Sequence, residues 1–274
     1  MLPRLKSITY HSTSFILRLK TKVFDRLKGI KKYFISDNNK DLEINNNKSR
    51  KLTPVPKVLF TSYCCSEEDI IIQQIISKWK SLNPDFKVIY FSDNDVYDFF
   101  KKDSNYFEIF SKLKNGVVKA DFFRICYLNK FGGYWFDIDL EPFKVTVPVN
   151  GKIHLFDCGY GNISYMFIGG TANKLFQETI KEVSQRISYN LEKKLSSVLD
   201  ISGPRVIQNL LSKKLGFKLK DQSFIGRRVV KTYLVGSDYE FEYTRQNNGR
   251  VKSFLYRKLQ EKYNKLPYDK YDYI

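Results

Sequence analysis

Two aspartates, Asp137 and Asp139, close an apolar run in the sequence YWFDIDLEP, and Glu141 follows them. On an extended segment, residues two positions apart point their side chains to the same face. Ligands of open α/β sheets collect at the carboxyl ends of strands, where carboxylates suit a hard divalent cation that can hold a diphosphate. The sequence therefore predicts a site for Mn²⁺ or Mg²⁺ at Asp137 and Asp139. Taken alone, the two residues are equally typical of an exposed acidic strand end.

A second charged pair precedes these acids. The segment VVKADFFRICYLNKF (117–131) is predicted to be a helix that Gly132-Gly133 ends, followed by a strand at 134–138. Asp121 and Arg124 are three positions apart in this helix, so they are neighbours on one face. From spacing alone they form either a surface ion pair or part of a ligand site.

The stretch KADFFRICYLNKFGGYWFDIDLEPFK resembles the signature of the DXD-containing sugar transferases of glycosyltransferase family 32. That signature has Ala/Ser-Asp-x-x-Arg followed by Gly-Gly-x-Tyr-x-Asp-x-Asp, and Trp135 stands here in place of its Tyr. The resemblance implies an α/β, GT-A-type nucleotide-sugar-binding fold with a central, mostly parallel sheet flanked by helices. It also implies a metal-dependent, retaining transferase that moves a hexose from a nucleoside diphosphate sugar (a UDP- or GDP-hexose) to a sugar hydroxyl of a polysaccharide, oligosaccharide or glycolipid.

The resemblance also assigns roles to residues. Asp121 and Arg124 would contact the donor sugar and its phosphates, Asp137 would lie near the ribose or the waters of the metal, and Asp139 would bind the metal directly. The segment PKVLFTSY is similar to the first strand of the family, where the nucleotide base and ribose are expected. Further donor-binding positions are therefore expected in that strand and beside the acids: Phe60, Ser62, Gly133 and Trp135.

Other segments fit the family less closely. Ser202-Gly203-Pro204 resembles a Thr-Gly-Pro of the family, although Ser and Pro also begin helices. SKWKSLNPDFKVIYFSDND resembles the Trp-x-x-x-Asn-Pro segment of the family. A late His or Ser-x-Trp that often closes the metal site has no counterpart here. Asp238, Asn247 and Asn248 are the candidates for closing the site, and Asn162 is a stand-in for an Asn that the family has beside the acceptor strand, near Tyr165 here.

Strand and helix patterns alternate along the predicted domain, which favours an α/β fold. Strands are predicted at 57–63, 87–91, 153–156 and 163–168, and helices at 67–82, in two pieces within 94–113, and at 172–189. Asp93-Asn94-Asp95 is interpreted as a loop and helix start rather than a metal motif. His154, between Ile153 and Leu155, is interpreted as a core residue rather than a catalytic acid or base.

The amino-terminal residues 1–51 are predicted to be separate from the domain at 52–274. They carry a net charge of +9, half of the +18 of the chain. Residues 1–34 form a basic amphipathic pattern that either lies on an anionic membrane surface or docks on the domain, and a polar linker follows. A second basic amphipathic stretch spans 251–263. No run approaches the ~20 apolar residues of a membrane span, and a signal-peptide core is missing, so we expect a cytoplasmic protein, which would be peripheral at the inner face of the membrane if residues 1–34 bind there.

The distribution of charge and of cysteines limits which classes of protein the sequence can belong to. The four cysteines are scattered without a CxxC pair, which argues against structural zinc and fits a reducing compartment. The basic excess attracts polyanions, but it concentrates in the tails and no nucleic-acid motif occurs, so no nucleic acid is expected as partner. The alternatives are a metal-dependent nucleotidyltransferase, which typically has a Gly-Ser loop before its acids, a non-catalytic basic protein that binds nucleic acid or membrane, and an inactive relative.

Overall fold

The computed structural model describes residues 54–64, 66–102, 104–145, 153–157, 162–193, 198–215, 230–235, 239–245, 255 and 257–259. All of them belong to the second of the two units into which the chain divides, Asn47–Ile274. The predicted amino-terminal helix and linker, Asp238, Asn247, Asn248 and most of the stretch at 251–263 lie outside the described residues. Among those described, no helix combines the length and the apolar character needed to cross a membrane.

Seven strands and seven helices are described. The strands are β1 (Val58–Ser62), β2 (Lys87–Phe91), β3 (Gly133–Phe136), β4 (Ile153–Asp157), β5 (Ile163–Gly170), β6 (Val230–Val235) and β7 (Tyr239–Arg245). The helices are α1 (Ile70–Leu82), α2 (Asp93–Lys101), α3 (Ser104–Ser111), α4 (Gly116–Phe131), α5 (Lys174–Lys193), α6 (Val198–Ile201) and α7 (Pro204–Leu215).

The strands form one sheet in the order β2-β1-β3-β5-β4-β7-β6. Strand β1 pairs in parallel with both β2 and β3. Strand β5 then pairs antiparallel with β3 and β4, while β7 pairs in parallel with β4 and antiparallel with β6. The predicted α/β fold with flanking helices is confirmed. Because β2, β1 and β3 run the same way, their carboxyl ends meet at one edge of the sheet.

Capping residues explain where the helices begin and end. Asp69 accepts hydrogen bonds from the backbone of Ile71 and Ile72, so α1 begins at Ile70 rather than at the predicted position 67. Ser92 and Asp95 form a reciprocal capping box at the start of α2, which confirms the interpretation of this acidic segment as a helix start. Helix α4 ends at Gly132, whose φ of 70° lies in the left-handed region that favours glycine.

Side chains alternate between the two faces of the sheet and build two cores. We call the apolar cluster that contains Leu59 and Trp79 the α1-side core, and the one that contains Phe60 and Trp135 the α4-side core. In β1 and β3, consecutive residues enter opposite cores, as the period of a strand requires. His154 is buried beside Tyr134, with ring centroids 5.5 Å apart, in keeping with its predicted place in the core.

Candidate active site

The two aspartates lie in a turn directly after β3. The strand ends at Phe136, not at the predicted position 138, and the backbone N–H of Leu140 donates to the carbonyl of Asp137 at 2.9 Å. The prediction that both side chains project from one extended segment is therefore wrong. The turn buries Ile138 and Leu140, while the Asp137 side chain is 27% exposed and Asp139 is half-buried. Both acids thus stand at the surface edge of a fixed apolar turn.

Arg124 links Asp137 to Asp121. Its Nη1 lies 3.1 Å from Oδ1 of Asp137, and its Nη2 lies 3.2 Å from Oδ1 of Asp121. The side chains of Arg124 and Asp121 are both 6% exposed, so the alternative of a surface ion pair is excluded. The helix face predicted from the spacing of these residues therefore turns inward, toward the acids that follow β3.

The remaining contacts of Arg124 fix the orientation of its guanidinium group. Nη1 also donates to the carbonyl of Tyr165 at 2.8 Å, and Nε donates to the carbonyl of Ala120 at 3.2 Å. The guanidinium carbon lies 4.4 Å from the centre of the Trp135 ring, a distance at which cation and ring attract. Lysine cannot reproduce this planar set of donors. Arg124 therefore organises the site in addition to supplying charge.

Ser202 completes the pair from a distant part of the chain. Its hydroxyl donates to Oδ2 of Asp121 at 3.0 Å, and the residue is fully buried. The next residue is Gly203, where a larger side chain does not fit because a Cβ at this position would lie 2.8 Å from Cα of Leu199. Helix α7 begins at Pro204. The segment therefore begins a helix, as one of the two interpretations predicts, and its serine also reaches the charged site.

Burial raises the pKa of Asp121 to about 6, and the charge of Asp137 adds to the rise while Arg124 and Ser202 oppose it. An acid whose pKa is higher in the folded chain than in the unfolded chain destabilises the fold once it ionises. The contribution to stability is complete below the unfolded value of 3.8 and is lost as pH rises through about 6.

We therefore expect Asp121→Asn to gain stability relative to the wild type as pH rises from about 4 to about 7, because only the wild type must ionise a buried carboxylate. The pKa difference corresponds to about 3 kcal/mol. Urea unfolding of both proteins at several pH values measures the change. A difference between them that stays constant over this range would contradict the burial of an ionising Asp121.

Three of the predicted donor-binding residues have packing roles. Phe60 is fully buried, with its ring 4.2 Å from that of Tyr127, so its side chain supports the site from within the core rather than facing a ligand. Trp135 is buried and donates from Nε1 to Oδ1 of Asp137 at 2.6 Å. Gly133 has a φ of 114°, and a Cβ there would lie 2.9 Å from the carbonyl oxygen of Val58. Glycine at 133 thus allows β3 to approach β1 closely.

Ser62, the fourth predicted position, lines a cavity of about 220 Å³. The cavity lies beyond the carboxyl ends of β1 and β2 and beside the first turns of α4. Its other lining residues come from these elements and the helices next to them: Tyr63, Asp93, Asn94, Val96, Tyr97, Phe110, Gly116, Lys119 and Ala120. Lys119 and Ala120 immediately precede Asp121, so the cavity and the charged site are adjacent along α4.

The acids fit a divalent cation that takes further ligands from a substrate. Among the described residues, no group of three or more His, Cys, Asp or Glu is arranged to hold a metal ion by itself. Glu141, the third acid of the motif, forms an ion pair with Lys78 of α1. The turn itself carries two carboxylates, Asp137 and Asp139, which matches the one or two carboxylates with which Mg²⁺ joins substrate phosphates.

Two contributions to the site were not predicted. Asn83 contacts the segment after the acids through its side chain, and the backbone of β5 contacts both Arg124 and Asp137. The Trp-x-x-x-Asn-Pro segment was a signal for Asn83, but it carried no spatial information. The contacts of β5 come from backbone carbonyls, which leave no trace in the residue types.

Comparison with known proteins agrees with the motif. Residues 71–153 match the family described as glycosyltransferase sugar-binding region containing DXD motif. Over 98 residues the chain is 26% identical to mannosyl phosphorylinositol ceramide synthase SUR1 of Saccharomyces cerevisiae. This alignment covers 35% of this chain and 26% of the yeast protein. The chain thus aligns with about a quarter of that relative. A solved structure of PaToxG glycosyltransferase superposes with a TM-score of 0.43 and 15% identity, over 61% of this chain and 72% of the other.

Proposed function

We propose that this chain, whose residues 71–153 match the DXD-containing glycosyltransferase sugar-binding family, is a hexosyltransferase that uses a nucleoside diphosphate hexose as donor. The observation that carries the proposal is the contact of the buried Asp121–Arg124 pair with Asp137, which stands at the surface edge of the Asp137–Asp139 turn. This arrangement would bring fixed charge next to the diphosphate of the donor. UDP- and GDP-hexoses are the donors to be distinguished.

The cavity next to α4 supports the placement of the nucleoside. It lies at the carboxyl ends of parallel strands, where ligands of such sheets bind, and it is lined by polar and aromatic groups that include Asn94, Tyr97 and Lys119. A base in this cavity would place its diphosphate toward Asp121 and the acidic turn. Ser62 would then be a donor contact, as the sequence predicts.

Asp137 and Asp139 would hold Mn²⁺ or Mg²⁺ together with the donor phosphates, and the cation would neutralise the charge of the leaving diphosphate. Arg124, fixed between two carboxylates and two carbonyls, would orient Asp137 in this site. Asp121 would keep Arg124 in place and hold the Ser202 segment over it. Charges that are already oriented need no reorganisation during the reaction.

We further propose that the anomeric configuration is retained. In this step the bond between the anomeric carbon and the diphosphate oxygen breaks, and the acceptor oxygen forms its bond on the same face of the sugar. The acceptor proton passes to the departing diphosphate oxygen, so no enzymic nucleophile is required. The acceptor would be a sugar hydroxyl of a glycan or glycolipid, and the name of the yeast relative, which refers to a mannosylated ceramide, favours a glycolipid. A peripheral position at the inner face of the membrane, through residues 1–34, fits such an acceptor.

The test is a screen of UDP- and GDP-hexoses with and without Mn²⁺. We expect one donor to raise the melting temperature in the presence of Mn²⁺ and to be hydrolysed slowly without acceptor. Ser62→Leu should fill part of the cavity and weaken binding of that donor by about tenfold or more, since a bulky group there excludes the ligand. Ser81→Leu, the same change at an exposed position of α1, is the matched control.

Two outcomes would overturn the proposal. Turnover of nucleoside triphosphates with release of pyrophosphate, and no turnover of nucleotide-sugars, would identify a nucleotidyltransferase instead. Equal donor binding by Ser62→Leu and Ser81→Leu would show that the nucleoside does not bind in this cavity.

A further inference from the structure

Residues 141–145, which follow the two aspartates and the bridge residue Leu140, are held by side-chain contacts rather than by a strand partner. Residues 141–145 are irregular, and they follow the turn that contains Asp139. At its start this turn is fixed by β5, because the backbone N–H of Asp137 donates to the carbonyl of Met166 at 2.7 Å. Asp139 therefore lies between this fixed point and the contacts made by residues 141–145.

Glu141 contacts Lys78 of α1, and the backbone of Phe143 and of Val145 contacts Asn83, the residue that follows the last turn of α1. Its Nδ2 donates to the carbonyl of Phe143 at 2.9 Å, and its Oδ1 accepts from the backbone N–H of Val145 at 2.7 Å. One carboxamide thus takes the place that a neighbouring strand would have, donating to one peptide and accepting from another. Asn83 is buried, so water does not replace these bonds without cost.

Asn83 is itself rigid. Its Nδ2 also donates to the carbonyl of Trp79 at 3.1 Å, and its backbone N–H donates to the carbonyls of Trp79 and Lys80. The ring of Phe143 packs on that of Trp79, with centroids 5.3 Å apart. The position of the segment is therefore determined by the end of α1, in the α1-side core.

The two aspartates are consequently held from opposite faces of the sheet. Asp137 is oriented by Arg124 and Trp135, which belong to the α4 side. Asp139 is followed by the buried Leu140 and by the segment that Asn83 holds, which belong to the α1 side. Groups that orient a ligand without touching the metal can change metal affinity strongly.

We propose that Asn83 is the positioning residue for Asp139: by holding residues 143–145 against the end of α1 it sets where this carboxylate can bind a divalent cation. The inference rests on the proposed function, since it assigns the cation to the aspartate turn. It predicts that metal binding depends on the α1 side of the sheet through Asn83, whereas nucleoside binding in the cavity beside α4 does not. A purely structural asparagine would affect both equally, through the stability of the fold.

The experiment measures Mn²⁺ binding directly, from the loss of the electron paramagnetic resonance signal of hydrated Mn²⁺, with the full chain in the presence of UDP or GDP. For Asn83→Ala we expect a dissociation constant for Mn²⁺ about tenfold higher than in the wild type, within the range known for residues that orient metal ligands. Nucleotide binding in EDTA should be unchanged. Excess Mn²⁺ should restore most of the donor hydrolysis.

Leu211→Ala is the matched control, because it removes a fully buried side chain from α7 in the α4-side core. It should lower the melting temperature while leaving the Mn²⁺ dissociation constant unchanged. If Asn83→Ala does not fold, Asn83→Asp tests the same point: it keeps the size and one acceptor but loses the donor to Phe143, and weaker Mn²⁺ binding is again expected.

Wild-type affinity for Mn²⁺ in the folded Asn83 variant, or equal weakening in Leu211→Ala, would overturn this inference and leave the proposed function standing. Failure of the wild type to bind Mn²⁺ with either nucleotide would overturn both.

Discussion

Replacing Arg124 with alanine is expected to lower the free energy of unfolding by about 3–5 kcal/mol, the cost of removing one partner from a buried ion pair. Asp121 and Asp137 would then remain close together without the cation between them, and the carbonyls of Ala120 and Tyr165 would lose their donor. Donor hydrolysis should fall by at least about 100-fold, as for the loss of a fixed charge-stabilising donor. Urea unfolding and a hydrolysis assay measure the two effects.

Arg124→Lys separates charge from geometry. Lysine keeps the positive charge but presents a single ammonium group in place of the planar fork, so it cannot reach two carboxylates and two carbonyls together. We expect it to recover part of the lost stability and little of the activity. Full activity in Arg124→Lys would show that charge alone suffices and would contradict the orienting role of the guanidinium. Arg205→Ala, at an exposed arginine that contacts Asp200, is the control; surface pairs contribute about 0–1 kcal/mol.

The helix and strand around the site could be predicted because their causes are local. The spacing of Asp121 and Arg124 placed both on one helix face, and Gly132, with its positive φ, ended that helix where expected. The strands predicted at 57–63 and 87–91 also correspond to β1 and β2 of the structure. Spacing alone left open whether the charged pair faces water, since that depends on what covers the helix. Ser202, 81 residues later, is part of that cover.

The end of β3 could not be predicted because it also depends on contacts with distant parts of the chain. YWFDI continues the pattern of a strand. In the structure, however, the backbone N–H of Asp137 donates to the carbonyl of Met166, and its carboxylate accepts from the side chains of Arg124 and Trp135. These contacts begin a turn that residue propensity does not encode. The contact of Asn83 could not be predicted either, because its partner Phe143 is 60 residues away. Long-range contacts of this kind depend on the assembled sheet.

Replacing Asp139 with asparagine is expected to reduce Mn²⁺-dependent hydrolysis by about 10³-fold, since the charge stabilisation that a bound cation supplies amounts to several kcal/mol. Asp139 is half-buried at the edge of the turn, and the loss of one interaction at such a position changes the free energy of unfolding by about 1 kcal/mol or less. The variant should bind the nucleotide in EDTA as well as the wild type does. Hydrolysis and unfolding measured on the same preparation separate loss of the metal from loss of the fold.

Asp137→Asn is the informative comparison, because the same chemical change is made two residues away in a different environment. Asp137 pairs with Arg124 and accepts from Trp135, so its neutralisation leaves a buried guanidinium partly uncompensated, at a cost of about 1–3 kcal/mol. We expect Asp137→Asn to lose activity and stability together, and Asp139→Asn to lose activity alone. Unchanged hydrolysis in Asp139→Asn would show that this residue does not bind the cation. Equal destabilisation by both substitutions would show that Asp139 is held by the fold as tightly as Asp137, and the division of the turn between a structural and a metal-binding carboxylate would then be wrong.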